Sequence, residues 1–176
     1  LGKGIKNSDP VTQVMFTGIQ IMEPDIFSRI PKDKFCGTTE DVFPAMIQDE
    51  LPVYGFLHNG YWIDMGTRET YIQAQVDALD GKLSLKTLYS RNPEGPLVVP
   101  PVYIGKNCEI SQDAQVGPYA VLGDGCRVRS GAVVENSILW TGVTAGNNCS
   151  VQNSIIDERV VIDSGANVKD RSLSSN

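Results

Sequence analysis

One carboxylate, Asp64, stands in the segment Gly60-Tyr61-Trp62-Ile63-Asp64-Met65-Gly66-Thr67, at the end of a short aromatic run and just before a helix. Two kinds of chemistry suit that position. A carboxylate there can offer a hard oxygen to a divalent cation such as magnesium, or it can cap the helix that follows. Composition alone favours the cap. Upstream, Phe16-Thr17-Gly18-Ile19 places a glycine inside a strand-like run, which is either a packing glycine or a point where backbone approaches a neighbour or ligand closely. Glu40 and Asp41 are adjacent carboxylates, but side chains next to each other on a helix diverge, and both suit an exposed first turn. His58 is the single histidine, so it has no second imidazole with which to form a ligand set and reads as an ordinary strand residue.

The elements that must position these residues fall into two regions. In the first, Val14 to Met22 has strand composition and Pro24 ends it. Asp25 to Ile30 suits a short helix. Thr38 or Thr39 is placed to cap a second helix, from Glu40 to about Glu50, with Val42, Phe43, Met46 and Ile47 on its apolar face. Val53 to His58 and Tyr61 to Asp64 read as two strands joined by a tight Asn59-Gly60 turn. Thr67 caps a third helix from Arg68 to about Leu79, with Ile72, Val76 and Leu79 on one face and Gly81 as the stop. A strand, turn and helix junction of this kind holds a carboxylate more firmly than a long loop does.

The polar stretch from Lys82 to Pro96 links this region to a second one with a different period. Ile104, Ile110, Val116, Leu122, Val128 and Val134 are six apart, and two positions before each stands Val102, Cys108, Ala114, Ala120, Cys126 or Ala132. An ordinary alternating sheet needs no six-residue beat. A triangular solenoid does, because each short strand makes one side and sends one aliphatic side chain into a narrow prism. The beat slips at Ser137-Ile138-Leu139-Trp140 and again at Ser154-Ile155-Ile156-Asp157. The similar segments Glu135 to Leu139 and Gln152 to Ile156 are therefore shortened faces on successive coils, of which about four are expected. Arg127 and Arg129 flank the inward Val128 and should project outward.

Composition excludes several classes. The chain has 176 residues with 15 Lys and Arg against 21 Asp and Glu, a formal charge of −6. That argues against a nonspecific nucleic-acid binder, whose affinity rests on clustered positive charge. No apolar run reaches the roughly 20 residues of a membrane span, and nothing reads as a secretion signal. The chain starts at Leu1, which fits a processed product or a fragment. Cys36, Cys108, Cys126 and Cys149 include no C-x-x-C pair, so a zinc site is not expected. They read as small packing residues in a reducing, cytoplasmic setting.

The order Phe16-Thr17-Gly18-Ile19-Gln20-Ile21-Met22-Glu23-Pro24, then Glu40-Asp41-Val42-Phe43-Pro44, then Tyr61-Trp62-Ile63-Asp64-Met65-Gly66-Thr67 with Tyr71 resembles the sugar-phosphate nucleotidyltransferases. The nearest types are mannose-1-phosphate guanylyltransferase and glucose-1-phosphate nucleotidyltransferase in forms with a C-terminal left-handed β-helix. The resemblance implies a fold in two parts. Residues 1–93 would be the sugar-binding portion of an α/β nucleotidyltransferase domain with its linker, and residues 94–176 a left-handed parallel β-helix of hexapeptide repeats.

In that family a glycine-rich loop with an arginine, a lysine, a metal-binding aspartate and an acidic sugar-contacting segment precede the part resembled here. Lys3-Gly4 is not such a loop. The resemblance therefore implies a C-terminal fragment that is inactive alone. The family's second metal-binding aspartate carries over to Asp64, and its sugar-side strand to Thr17 and Gly18, although Phe16-Thr17-Gly18 departs from the family's usual residues there.

The implied parent reaction joins a hexose 1-phosphate to a nucleoside triphosphate and releases pyrophosphate, with Mg2+ as cofactor. The resemblance leans towards mannose 1-phosphate with GTP, and so towards GDP-mannose rather than NDP-glucose biosynthesis. It also implies a homo-oligomer assembled through the β-helix. Two other classes stay open. One is a noncatalytic oligomerisation or regulatory module. The other is a hexapeptide-repeat acyltransferase, which commonly uses a histidine base, whereas the repeat region here has no histidine at all.

Overall fold

The computed structural model describes residues 14–83 and 95–175. The sequence readings at Lys3-Gly4 and across most of the 82–96 linker lie outside the described residues. The chain divides into two compact units, residues 1–62 and 63–176.

Unit 63–176 is dominated by a three-sided parallel β-solenoid, consistent with a left-handed β-helix. Its strands are numbered in chain order. One side stacks β1 (Leu97–Val98), β4 (Gln115–Val116), β7 (Val133–Glu135), β10 (Ser150–Gln152) and β13 (Asn167–Lys169). The second stacks β2 (Val102–Ile104), β5 (Ala120–Leu122), β8 (Ile138–Leu139), β11 (Ile155–Ile156) and β14 (Ser172–Leu173). The third stacks β3 (Glu109–Ile110), β6 (Arg127–Val128), β9 (Thr144–Ala145) and β12 (Val161–Ile162). Four complete turns and two sides of a fifth result, slightly more than the four expected, because Leu97–Val98 and Ser172–Leu173 extend the stack at its two ends.

Register explains why the period is legible. Val98, Val116, Val134, Val151 and Val168 stack on one another, as do Leu122, Leu139, Ile156 and Leu173. Nearly all of these side chains are buried, so each turn covers the aliphatic face of the next and none could bury it alone.

The slipped beats are shortened corners. Three residues, Gly117 to Tyr119, lie between Val116 and Ala120, but only Glu135 and Asn136 lie between Val134 and Ser137. Ser137 and Ser154 then take the stacked position that Ala120 fills one turn earlier, and both are fully buried. Ser154 donates its backbone N–H to Ser137 Oγ at 3.1 Å, and Arg171 donates its own to Ser154 Oγ at 3.1 Å. The hydroxyls thus accept from backbone groups that the shorter corner leaves without a carbonyl partner.

The outer corner carries a second column. Asn136 and Asn153 have φ of 42° and 47°, a left-handed conformation in which asparagine is among the better tolerated non-glycine residues. Asn136 Nδ2 donates to Asn153 Oδ1 at 3.1 Å, and Asn153 Nδ2 donates to Asp170 Oδ1 at 2.5 Å. That donation holds the Asp170 carboxyl below the usual carboxylate range, with Arg68 adding to the effect. Arg127 and Arg129 project outward as expected and share Glu109 at 3.5 and 3.7 Å.

Helix α2 (Arg68–Leu79) belongs to the same unit and begins and ends where the sequence places it. Arg68 Nη1 donates to the backbone carbonyl of Asn153 at 2.7 Å, and Gln75 Nε2 to that of Tyr119 at 2.6 Å. Just past the helix, Asp80 accepts from the Tyr119 hydroxyl at 3.0 Å. Ile72 is buried as expected, but so are Gln75 and Asp77. Asp77 is held by Gln73 and Lys82 at 2.9 and 2.7 Å.

Unit 1–62 contains helical turns and extended backbone. A 3-10 helix runs Pro24–Arg29, and a π-helical turn at Thr38–Val42 leads into α1 (Phe43–Gln48). The cap at Thr38 or Thr39 is not formed. Gly37 is the N-cap residue, and its N–H donates to Asp41 Oδ2 at 2.9 Å.

The strands expected at 14–22, 53–58 and 61–64 are absent, and Asn59-Gly60 does not close a hairpin. Strand composition becomes a strand only when a neighbour completes the ladder, and an isolated two-stranded hairpin is marginal in water. Here Ile21, Tyr54 and Phe56 are 100%, 87% and 91% exposed, so among the described residues these side chains form no packed face. His58 is accordingly exposed and not in a strand.

Candidate functional site

Asp64 lies in an exposed turn at the start of unit 63–176. Its Oδ1 accepts the Gly66 N–H at 3.1 Å. Glycine suits this place sterically, since a Cβ at Gly66 would stand 3.3 Å from that same oxygen. The cap of α2 is a different residue. Thr67 Oγ1 accepts from the Thr70 N–H at 3.1 Å, and the Thr67 N–H donates back to Thr70 Oγ1 at 3.1 Å, a reciprocal pair of the capping-box kind. The helix N-terminus is therefore satisfied without Asp64. The carboxylate is left with Oδ2 unpartnered among the described residues and with Oδ1 held by the Gly66 N–H.

Thr17 and Gly18 lie in unit 1–62. Gly18 has φ of +80° with open space where a Cβ would project. Conformation rather than crowding is what calls for glycine there. Thr17 Oγ1 accepts the Ile19 N–H at 3.4 Å across the bend. Thr17 and Gly18 thus form one local feature and Asp64 with Gly66 another, in different units.

A lone exposed carboxylate is a hard oxygen donor of the kind magnesium takes, but it is a small part of a coordination shell. Among the described residues no group of three or more His, Cys, Asp or Glu is arranged to hold a metal ion. Also among the described residues, no helix is long and apolar enough to cross a membrane.

A groove of about 480 Å³ lies where α2 meets the outer side of β2, β5 and β8. Tyr71, Leu79, Tyr103, Val121, Ile138 and Trp140 are among its lining residues. Its parts are spread over more than sixty positions of the chain, and only the outward members of the solenoid register could have pointed to it.

Residues 98–176 match the family described as the GMPPB C-terminal domain. Among curated proteins, the chain is similar to the mannose-1-phosphate guanylyltransferase of Mycobacterium tuberculosis (strain ATCC 25618 / H37Rv), 30% identical over 141 residues covering 74% of this chain and 39% of that protein. It is also similar to a glucose-1-phosphate adenylyltransferase of Clostridium botulinum (strain Eklund 17B / Type B), 34% identical over 122 residues covering 66% of this chain and 28% of that protein. A UTP--glucose-1-phosphate uridylyltransferase of Synechocystis sp. (strain ATCC 27184 / PCC 6803 / Kazusa) is 25% identical over 161 residues, 84% of this chain and 42% of that protein. The chain thus spans less than half the length of these curated relatives.

Proposed function

We propose that this chain is the C-terminal part of a sugar-1-phosphate nucleotidyltransferase, from the premise that residues 98–176 match the GMPPB C-terminal domain family and that the chain's relatives are such enzymes, matched through their C-terminal part. The parent joins a hexose 1-phosphate to a nucleoside triphosphate and releases pyrophosphate. Mannose 1-phosphate with GTP is the preferred pair, a choice supported by the matched family and by the mycobacterial relative.

The observation that carries this reading is Asp64. It sits in the segment Trp62-Ile63-Asp64-Met65-Gly66-Thr67, fixed by Gly66, relieved of the capping role by Thr67, and followed by the matched solenoid. Asp64 would supply one oxygen ligand to magnesium. Bound magnesium would serve as electrostatic clamp and template for two anions that otherwise repel. A single carboxylate is a weak site, so the reading requires further ligands from polypeptide outside this chain and leaves this chain alone without activity. Thr17 and Gly18 would face the sugar, the bend at Gly18 bringing backbone rather than a side chain close to the ligand. The solenoid would support a homo-oligomer in the cytoplasm.

The test is a pyrophosphate-release assay on the parent-length protein with magnesium, run over a matrix of nucleoside triphosphates and hexose 1-phosphates. Release with mannose 1-phosphate and GTP is expected to exceed the other pairs. Release with another pair would reassign the substrates. No release with any pair would sink the transferase reading in favour of an assembly module.

A further inference from the structure

The solenoid places two of its three cysteines on adjacent rungs of one column. In the register of β3 with β6, Glu109 lies opposite Arg127, so the residues just before them, Cys108 and Cys126, lie opposite each other too. The Glu109 N–H donates to the Cys126 carbonyl at 2.9 Å, which locks that register at the thiols themselves. Neighbouring strands stand about 4.7–4.9 Å apart, inside the roughly 4.4–6.8 Å Cα separation that a disulfide spans.

The two thiols have parallel surroundings. Cys108 Sγ lies 3.1 Å from the Gly123 carbonyl oxygen, and Cys126 Sγ lies 3.0 Å from that of Trp140. Both are free thiols, Cys108 half-buried and Cys126 fully buried. Cys149 has no such neighbour, because Ala132 and Ala166 occupy the rungs on either side of it. Cys36 belongs to the other unit.

We propose that Cys108 and Cys126 form a thiol-modification site that takes a low-molecular-weight disulfide such as glutathione disulfide and closes to an intrachain disulfide between the first two turns of the solenoid. The order of events follows from access and polarity. Cys108 is reached first, being the less buried. The neighbouring Cys126 side chain holds the Cys108 thiol below the usual range, against the opposing effects of burial and Asp124. The Cys108 side chain in turn, together with burial, holds Cys126 above that range. Cys108 is thus the attacking sulfur and Cys126 the resolving one.

In the first step the Cys108 thiolate attacks one sulfur of glutathione disulfide, whose S–S bond breaks. One glutathione thiolate leaves and takes up the proton that Cys108 released. In the second step Cys126 gives up its proton and attacks Cys108 Sγ, and the second glutathione leaves as the thiol. Two protein thiols are oxidised by two electrons, and one glutathione disulfide is reduced to two glutathione thiols.

The test uses the full chain, incubated with glutathione disulfide, alkylated with iodoacetamide and digested with trypsin. Cleavage after Lys106 and Arg127 releases residues 107–127 as one peptide carrying both cysteines. The expected product is that peptide lighter by two hydrogens, unalkylated and restored by dithiothreitol, with Cys36 and Cys149 alkylated. In Cys126→Ala a glutathione adduct on Cys108 should accumulate, and in Cys108→Ala no adduct should form at Cys126. Full alkylation of both cysteines in the native chain would overturn the site. So would a persistent Cys108 adduct with Cys126 still alkylated, which would show that the second sulfur does not reach the first.

Discussion

At Asp64 the decisive relation is with Gly66 and Thr67. The Gly66 N–H fixes one carboxylate oxygen, while Thr67 and Thr70 satisfy the start of α2 by themselves. Structural and chemical roles are therefore separable by substitution. Asp64→Asn keeps an oxygen for Gly66 but removes the charge that a divalent cation needs. In the parent-length enzyme it should lower magnesium-dependent pyrophosphate release by on the order of 100-fold or more, with a thermal midpoint close to that of the unsubstituted protein. Equal activity would reject the metal role. Thr67→Ala should do the reverse, costing about 1 kcal/mol of stability through the lost cap, measured by urea denaturation. Gly18 is a third case. Its φ of +80° would cost an L-residue roughly 1–2 kcal/mol, so Gly18→Ala should weaken sugar-phosphate binding in the parent enzyme through a shifted backbone, although there is open space for the added methyl.

Among the elements, the two shortened corners are where polar groups are built into the prism. Ser137 Oγ accepts the Ser154 N–H within the buried column. Ser137→Ala should therefore strand a buried donor, at a cost of roughly 1–3 kcal/mol, read as a lower denaturant midpoint. Ser137→Gly would strand the same donor, whereas Ser137→Thr keeps the hydroxyl and should recover part of the loss. The outer column gives a pH dependence. Asp170 titrates below the usual carboxylate range because Asn153 donates to its charged form and Arg68 lies 3.7 Å away. A depressed carboxyl favours the folded state above the ordinary aspartate range and ceases to do so as pH falls through its lowered value. Acid titration followed by NMR should show Asp170 protonating below a reference aspartate. In Asn153→Ala the difference should shrink. An unchanged Asp170 titration in that variant would refute the assignment.

On the scale of the molecule, α2 and the solenoid form one unit, whereas residues 14–62 lack both a ladder and a packed sheet. Five-, five- and four-stranded sides bury an aliphatic column shared by every turn, so the solenoid has the nearest-neighbour cohesion of a repeat protein. Expressed without residues 1–62, unit 63–176 should still unfold in a single cooperative transition by circular dichroism. A broad transition, or none, would show that its stability depends on the preceding unit. The apolar side chains left exposed at Val14, Phe16, Ile19 and Ile21 belong to the region where strands were expected.

The sequence by itself determined the solenoid, its inward residues, its two slips and the bounds of α2, because these rest on local spacing and on contacts between equivalent positions of successive turns. The thirds of each turn repeat in space what they repeat in sequence, so period and packing carry the same information. It also marked Asp64 without deciding between cap and ligand, since both roles favour a carboxylate before a helix. The cap at Thr67 was legible too; only the tertiary structure relieved Asp64 of any share in it, showed Gln75 and Asp77 buried beside Ile72, and set Cys108 against Cys126. Those outcomes depend on which distant backbone groups arrive beside a side chain, as Tyr119 does at Gln75. The strands expected before residue 64 failed for the same reason, because strand composition is a local property whereas the ladder that makes a strand requires a neighbour.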